Sequence, residues 1–141
     1  VTANQNLTQT RYKWDASRIP DGCYIIRIVA SDEFENPEPG ESIYDSKPVI
    51  IDNNPPVIKA QFDGNNISGS ANDSFSFIAQ IAYRIDSGEW KLINCKDGIF
   101  DNSYEYFEFD AQFTSNLPKE SIIELKAVDS SGNIGYTFVK R

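Results

Sequence analysis

The chain has no histidine and no methionine, only two cysteines, and fewer bases than acids. Each shortage removes a class of function. Without imidazole there is no Ser-His-Asp or Cys-His nucleophile, and the commonest general base and transition-metal ligand are gone. Lys and Arg number 13 against 21 Asp and Glu, a formal net charge of −8. A surface of that sign repels phosphate, so neither nucleic acid nor an anionic membrane face is expected as a partner. No apolar run approaches the roughly 20 residues of a spanning helix, so no membrane insertion is expected, and none opens the chain as a leader would. Gly-rich phosphate loops, a Gly-x-Ser-x-Gly elbow and a Cys-x-x-Cys pair are missing too. With Val1 first and no methionine anywhere, the sequence is expected to be a piece of a longer or processed protein.

What is there suffices for a packed core: 40% of residues are hydrophobic and 13% aromatic. The chain also writes one phrase twice. Ile19-Pro20-Asp21-Gly22-Cys23-Tyr24-Ile25-Ile26-Arg27-Ile28-Val29-Ala30-Ser31-Asp32, closing on Asn36, returns as Leu117-Pro118-Lys119-Glu120-Ser121-Ile122-Ile123-Glu124-Leu125-Lys126-Ala127-Val128-Asp129, closing on Asn133. Both copies end in Ala-x-Asp-x-x-x-Asn, and the alanines stand 97 positions apart (127 − 30). That period fits one β-sandwich of roughly 100 residues, not a solenoid repeat. Cys23 and Cys95 fall at non-equivalent places in the repeats. Two free, largely buried thiols are expected, with an inter-domain bridge or a reactive thiol as alternatives.

Period-2 alternation dominates the chain. Tyr24, Ile26, Ile28 and Ala30 fall on one strand face, with Ile25, Arg27 and Val29 on the other; Ile123, Leu125 and Ala127 are their inward counterparts. Lys47–Asp52 reads as a last strand, after which Asn53-Asn54-Pro55-Pro56 stops pairing, because two prolines remove two donors and stiffen the chain. Phe75, Phe77, Ala79, Ile81, Tyr83 and Ile85 form one alternating set, and Asp86-Ser87-Gly88-Glu89 a hairpin turn leading to Trp90-x-Leu92. Phe107, Phe109, Ala111 and Phe113 form another inward set, leaving Tyr106, Glu108 and Asp110 outside, and residues 134–139 a final strand. The fold class is all-β.

Ile19-Pro20-Asp21-Gly22-x-Tyr24-x-Ile26-x-Ile28-x-Ala30 resembles the penultimate strand of fibronectin type III and related immunoglobulin-like domains, where a Tyr hydroxyl ties back to the preceding corner. Together with Tyr12-x-Trp14-Asp15, Asn36-Pro37, Asp52-Asn53-x-Pro55-Pro56, Tyr83-Arg84-Ile85-Asp86-x-Gly88-x-Trp90 and Asp97-Gly98-Ile99-Phe100-Asp101, it is similar to tandem sandwich modules that follow β-propellers in bacterial secreted or envelope proteins. The resemblance implies immunoglobulin-like/fibronectin type III β-sandwiches in tandem. Residues 1–53 would be the C-terminal half of one, its last three strands, and residues 54–141 a complete one. It also implies an extracellular, periplasmic or cell-envelope location. In the second copy the tyrosine-corner position is Ser121, so that corner must be held otherwise.

Half a sandwich leaves Trp14, Tyr24, Ile26 and Ile28 uncovered, at about 1.5–3 kcal/mol for each large side chain. The expected partner is therefore an upstream segment of the parent protein, another chain or a second copy, completing the first domain; half-domain packing against its own neighbour is the alternative. A spacer and assembly role without catalysis follows. Oxygen-rich loops offer one chemical alternative, calcium: Asp32, Glu33, Glu35 and Asn36 approaching Asp52, Asn53 and Asn54, or the loop of Asp97, Asp101, Asn102 and Ser103. Turn chemistry in solvated loops explains the same residues. Tyr104, Tyr106 and Phe34 are candidates for a glycan or protein surface, the other alternative being an adhesion module. Carboxylate pairs such as Glu105 with Glu108, or Asp15 with Asp21, occur in any acidic chain, and no enzymatic activity or required cofactor is expected.

Overall fold

The computed structural model describes residues 11–33, 36–38 and 40–140. Within them the fold is all-β: antiparallel sheets joined by turns, with a 3-10 turn over Gln112–Asn116 as the only helical element among the described residues. Phe34 and Glu35 lie outside the described residues.

Before the double proline the chain forms one hairpin in two pieces. Strand β1 (Gly22–Tyr24) pairs with β4 (Val49–Ile51), and β2 (Arg27–Ser31) with β3 (Glu41–Asp45). Tyr24 faces Val49 and Arg27 faces Asp45, so Ile25 and Ile26 stand against Ser46, Lys47 and Pro48. One extra residue on the return strand is a β-bulge, and Pro48 explains its place: with no N–H it cannot carry the ladder through. Ser46 substitutes locally. Its N–H donates to the Ile26 carbonyl at 2.9 Å and its Oγ accepts the Ile26 N–H at 2.9 Å. The uninterrupted strand expected from Tyr24 to Ala30 is therefore broken at residues 25 and 26, and the return strand begins earlier than Lys47, at Glu41.

After the prolines, β5 (Val57–Phe62), β6 (Asn66–Asn72) and β9 (Tyr104–Asp110) make a three-stranded sheet in the order β5-β6-β9. Strands β7 (Ile78–Ile85), β8 (Lys91–Ile93), β10 (Ile122–Asp129) and β11 (Ile134–Lys140) make a four-stranded one in the order β11-β10-β7-β8. The two share one core: Ile58, Ile67, Ala71 and Phe107 from the first meet Ile81, Ile93, Ile123, Leu125 and Val139 from the second. Stacked beside them, the Tyr83 ring lies 4.7 Å from Phe109 and 5.7 Å from Phe113. Gly69 lets β6 sit between β5 and β9, because a Cβ there would stand 2.0 Å from the Lys59 carbonyl and 2.6 Å from the Phe107 ring.

β10 follows its alternation, with Ile123, Leu125 and Ala127 fully buried. β7 does not. Alternation put Phe75, Phe77 and Ala79 inward with Ile81, yet Phe75 and Phe77 are exposed and Ile78 is fully buried. The cause is a register shift: Gln80 faces Val128 but Ile78 faces Asp129, leaving Ala79 as the extra residue. A bulge reverses which side of the strand points inward. On β11 the small residues face the core: Gly135 and Val139 are buried while Tyr136 and Phe138 are exposed.

Candidate functional site

Hydrogen bonds concentrate where hairpin and second unit meet. Asp52, at the end of the hairpin, is 9% exposed. Its Oδ2 accepts from Ser76 Oγ at 2.6 Å and its carbonyl from Asn133 Nδ2 at 3.0 Å. Asn133 Nδ2 also donates to Asp129 Oδ2 at 2.9 Å, and the Asn133 N–H to Asp129 Oδ1 at 2.9 Å. The next two residues turn the other way. The Asn53 N–H donates to Asp21 Oδ1 at 2.8 Å, Asn53 Nδ2 donates to the Ile19 carbonyl at 3.0 Å, and Asn54 Nδ2 donates to Asp21 Oδ2. Pro56 then lies buried against Gly135, where a Cβ would stand 1.8 Å from the Pro56 carbonyl. Proline stiffness, polar ties to both sides and this close approach together make the linker a splint.

The hairpin it carries is open. Ile28, Val29, Ile43, Tyr44 and Ile50 are all at least half exposed, and every residue of β2 and β3 is exposed. Trp14 and Ile26 are exposed, and Tyr24 is half-buried. The Tyr24 hydroxyl donates to the Pro20 carbonyl at 2.7 Å, tying strand to corner as the Pro-x-Gly-x-Tyr pattern implies. In the second copy Ser121 stands at the equivalent place, and its buried Oγ has no hydrogen-bond partner. Arg27 closes the hairpin's solvent side with a two-pronged contact to Asp45, at 2.7 and 2.8 Å. The guanidinium holds the Asp45 carboxyl below the usual carboxylate range.

The expected calcium set does not converge. Gly22 faces Ile51 and Ser31 faces Glu41, so Asp32, Glu33 and Asn36 sit at the far tip of the hairpin from Asp52 and Asn54. About nine residues of extended chain, at roughly 3.3 Å each, keep them about 30 Å apart. Glu35 lies outside the described residues. Turn chemistry occupies Asp32: Oδ1 accepts the Gly40 N–H at 2.6 Å and Oδ2 accepts from Asn36 Nδ2 at 3.1 Å. Those bonds, Asn36 first, lower its pKa from the ordinary value. Asp52 instead meets Asp73 and Asp129, with one oxygen from each within 4.8 Å of the others. Both oxygens of Asp52 and of Asp129 accept turn or hinge bonds, and Asp73 Oδ1 accepts the Phe75 and Ser76 N–H groups at 2.8 and 2.9 Å. Sequence reasoning missed Asp73 and Ser76, because nothing local marks residues that meet only through the fold. Asn133 was visible as the closing residue of the repeat.

The second oxygen-rich loop folds around Glu105, which is 3% exposed and accepts the Asp101 and Asn102 N–H groups on Oε1. Glu108 points out of the opposite face of the same strand, so the two make no carboxylate pair. Asp15 caps the Ser17 N–H, while Asp21 holds the linker. Cys95 is buried and free, as expected, and its Sγ donates to Asp97 Oδ1 at 3.1 Å. Burial, then Asp97, pushes that thiol above its ordinary pKa. Cys23 is free but exposed rather than buried, because nothing among the described residues covers its strand. A 410 Å³ depression lined by Phe62, Gly64, Asn65, Gln112, Thr114 and Ser115 contains no acid, base or thiol.

Tyr104 and Tyr106 do share the outer face of β9, half exposed, with ring centroids 4.8 Å apart. Their planes tilt by 58°, so they lean on each other and offer no single flat platform to a sugar ring. On the outer face of the other sheet Trp90 is clasped between Arg84 and Lys126, each charge 4.6 Å from the ring centroid. No family model, curated protein or solved structure matches the chain.

Proposed function

We propose that the chain is a non-catalytic, extracytoplasmic pair of immunoglobulin-like/fibronectin type III modules within a larger protein. Its role is to hold neighbouring parts at a fixed orientation and to dock a protein partner. Strand order supports the module type. A seven-stranded immunoglobulin constant domain places its fourth strand beside the fifth, in the sheet of the first two. In the unit after the prolines the fourth strand, β8, pairs instead with the third, β7, which otherwise keeps the sandwich arrangement. The Tyr24-to-Pro20 hydrogen bond supports the same type for the first unit.

One contrast carries the reading. The repeated hairpin occurs once covered, with Ile123, Leu125 and Ala127 fully buried, and once bare, with Ile26 and Ile28 at 37% and 58% exposure. A two-stranded hairpin with apolar sides is marginal alone, so the bare copy is the docking part and the covered copy the scaffold. The test is a shortened chain beginning at Asp52. Expected is cooperative unfolding with a midpoint within a few degrees of the full chain, while residues 1–53 alone show no cooperative transition. A shortened chain that fails to fold would overturn the reading.

A further inference from the structure

We propose that the free edge of β2 receives an antiparallel strand from a separate polypeptide segment, apolar at alternate residues and acidic opposite Arg27. The inference rests on the reading of the hairpin as an uncovered half-module. The chain supplies its own template. β10 and β2 are equivalent through the repeat down to the turn that follows: Asn133 Nδ2 donates to Asp129 Oδ2 at 2.9 Å, and Asn36 Nδ2 to Asp32 Oδ2 at 3.1 Å. β10 has a strand on each edge, β11 and β7, whereas β2 has only β3 among the described residues. Ile26, Ile28 and Ala30 stand where Ile123, Leu125 and Ala127 face Ile85, Tyr83 and Ile81. The incoming strand therefore presents apolar or aromatic side chains at those three alternate places. Backbone pairing supplies affinity and the alternate pockets supply selectivity.

Charge selects the occupant. Glu124 faces Arg84 across the ladder and accepts from its Nε at 2.6 Å. The residue equivalent to Glu124 is Arg27, already paired with Asp45 on its other side. A base opposite Arg27 would set like charges in direct cross-strand contact, while an acid would continue the row with alternating sign. Strand β7 of a second copy would bring Arg84 there, and it is enclosed between β10 and β8. Val1–Thr10 contains no acidic residue at all. A separate strand carrying one acid between apolar residues satisfies both the charge and the alternation.

The test adds two eight-residue peptides to the full chain: a copy of Ile78–Ile85, and the same peptide with Arg84→Asp. Expected is slowed amide exchange across Arg27–Ser31 with the Asp peptide, and binding at least about threefold tighter than the Arg peptide at low salt. The paired exchange Arg27→Glu with Asp45→Arg keeps the hairpin's own ion pair and is expected to reverse that order. Three results would overturn the proposal: no protection of β2 by either peptide, an order unmoved by the charge exchange, or protection that depends on protein concentration alone, which assigns the edge to a second copy. Faster β2 exchange on removal of Val1–Thr10 would assign the edge to that segment and overturn it equally. Failure of both peptides while the chain from Asp52 folds alone removes strand addition and leaves the module reading. Failure of that shortened chain removes the module reading itself.

Discussion

Asn133 and Asn36 occupy the same place in the repeat, yet replacing them is expected to have unequal effects. Each donates its side-chain amide to the Asp four residues earlier, but only Asn133 also reaches the Asp52 carbonyl across the linker. Asn133→Ala removes a bond to a carboxylate and one to a backbone carbonyl in a half-buried setting. With about 1.5–3 kcal/mol for the charged bond and 0.5–1.5 for the neutral one, discounted for partial exposure, the expected loss is about 2 kcal/mol. Asn36→Ala removes two bonds, to Asp32 and from the Glu38 N–H, but both lie in an exposed turn, and it is expected to cost under about 0.5 kcal/mol. For a domain of this size about 2 kcal/mol lowers the melting midpoint by roughly 10 °C. Urea unfolding followed by Trp90 fluorescence, in a Trp14→Phe background, reads the second unit alone. The same substitution should also loosen the linker. Spin labels on exposed Cys23 and on an introduced Lys119→Cys, with Cys95→Ala, should give a distance distribution that widens with Asn133→Ala and is unchanged with Asn36→Ala. Equal losses for the two asparagines, or an unaltered distribution, would refute the splint.

Three further outcomes follow from the same structure. Ser121→Ala removes a buried hydroxyl that has no partner, and should stabilise the second unit by about 1 kcal/mol in urea with an unchanged m value; a loss would mean the hydroxyl is satisfied. Asp52→Asn keeps one oxygen to accept the Asn54 N–H and places an NH2 where Oδ2 accepted from Ser76, whose hydroxyl can accept from it while donating to Asp73 Oδ1; it also removes one of three clustered charges, so the midpoint should rise by a few degrees, for about 0.5–1 kcal/mol. A fall would show that the negative charge itself is needed there, as a bound cation would require. Asp45 and Asp32 both have pKa values lowered in the folded hairpin, by Arg27 and by Asn36 with Gly40 respectively. Their contribution is present above the ordinary carboxylate range and disappears as pH falls through the lowered values, so β2–β3 amide exchange corrected for intrinsic rate should accelerate there. Exchange that stays flat through that window would count against both contacts.

How far the sequence was legible depends on the range over which each feature is decided. The inward set of β10 was plain because pairing on both edges keeps Ile123 through Ala127 in strict alternation. β7 misled at Phe75 and Phe77, since the bulge at Ala79 reverses the faces and no residue type marks it. The break in the first hairpin did carry a signal, Pro48, whose missing N–H forbids a continuous ladder. Glu41–Asp45 was passed over because Glu, Ser and Asp flank its two apolar residues, and pairing with β2 rather than composition holds it extended. The expected calcium residues lie apart for a topological reason: the same turn motif stands at the tip of one hairpin and beside the linker in the other. Asp129 and Asn133, not Asp32 and Asn36, are therefore the copies that meet Asp52. Ser76 joins them through a contact across 24 positions of sequence, which no local pattern encodes.

Amide hydrogen exchange on the unaltered chain, resolved by residue, compares two hairpins of one repeat under one condition. β10–β11, sealed by the opposite sheet, should exchange only through global unfolding, whereas β2–β3 should exchange at least about two orders of magnitude faster. Equal protection of the two would contradict an open first unit, and with it the docking role assigned to that edge.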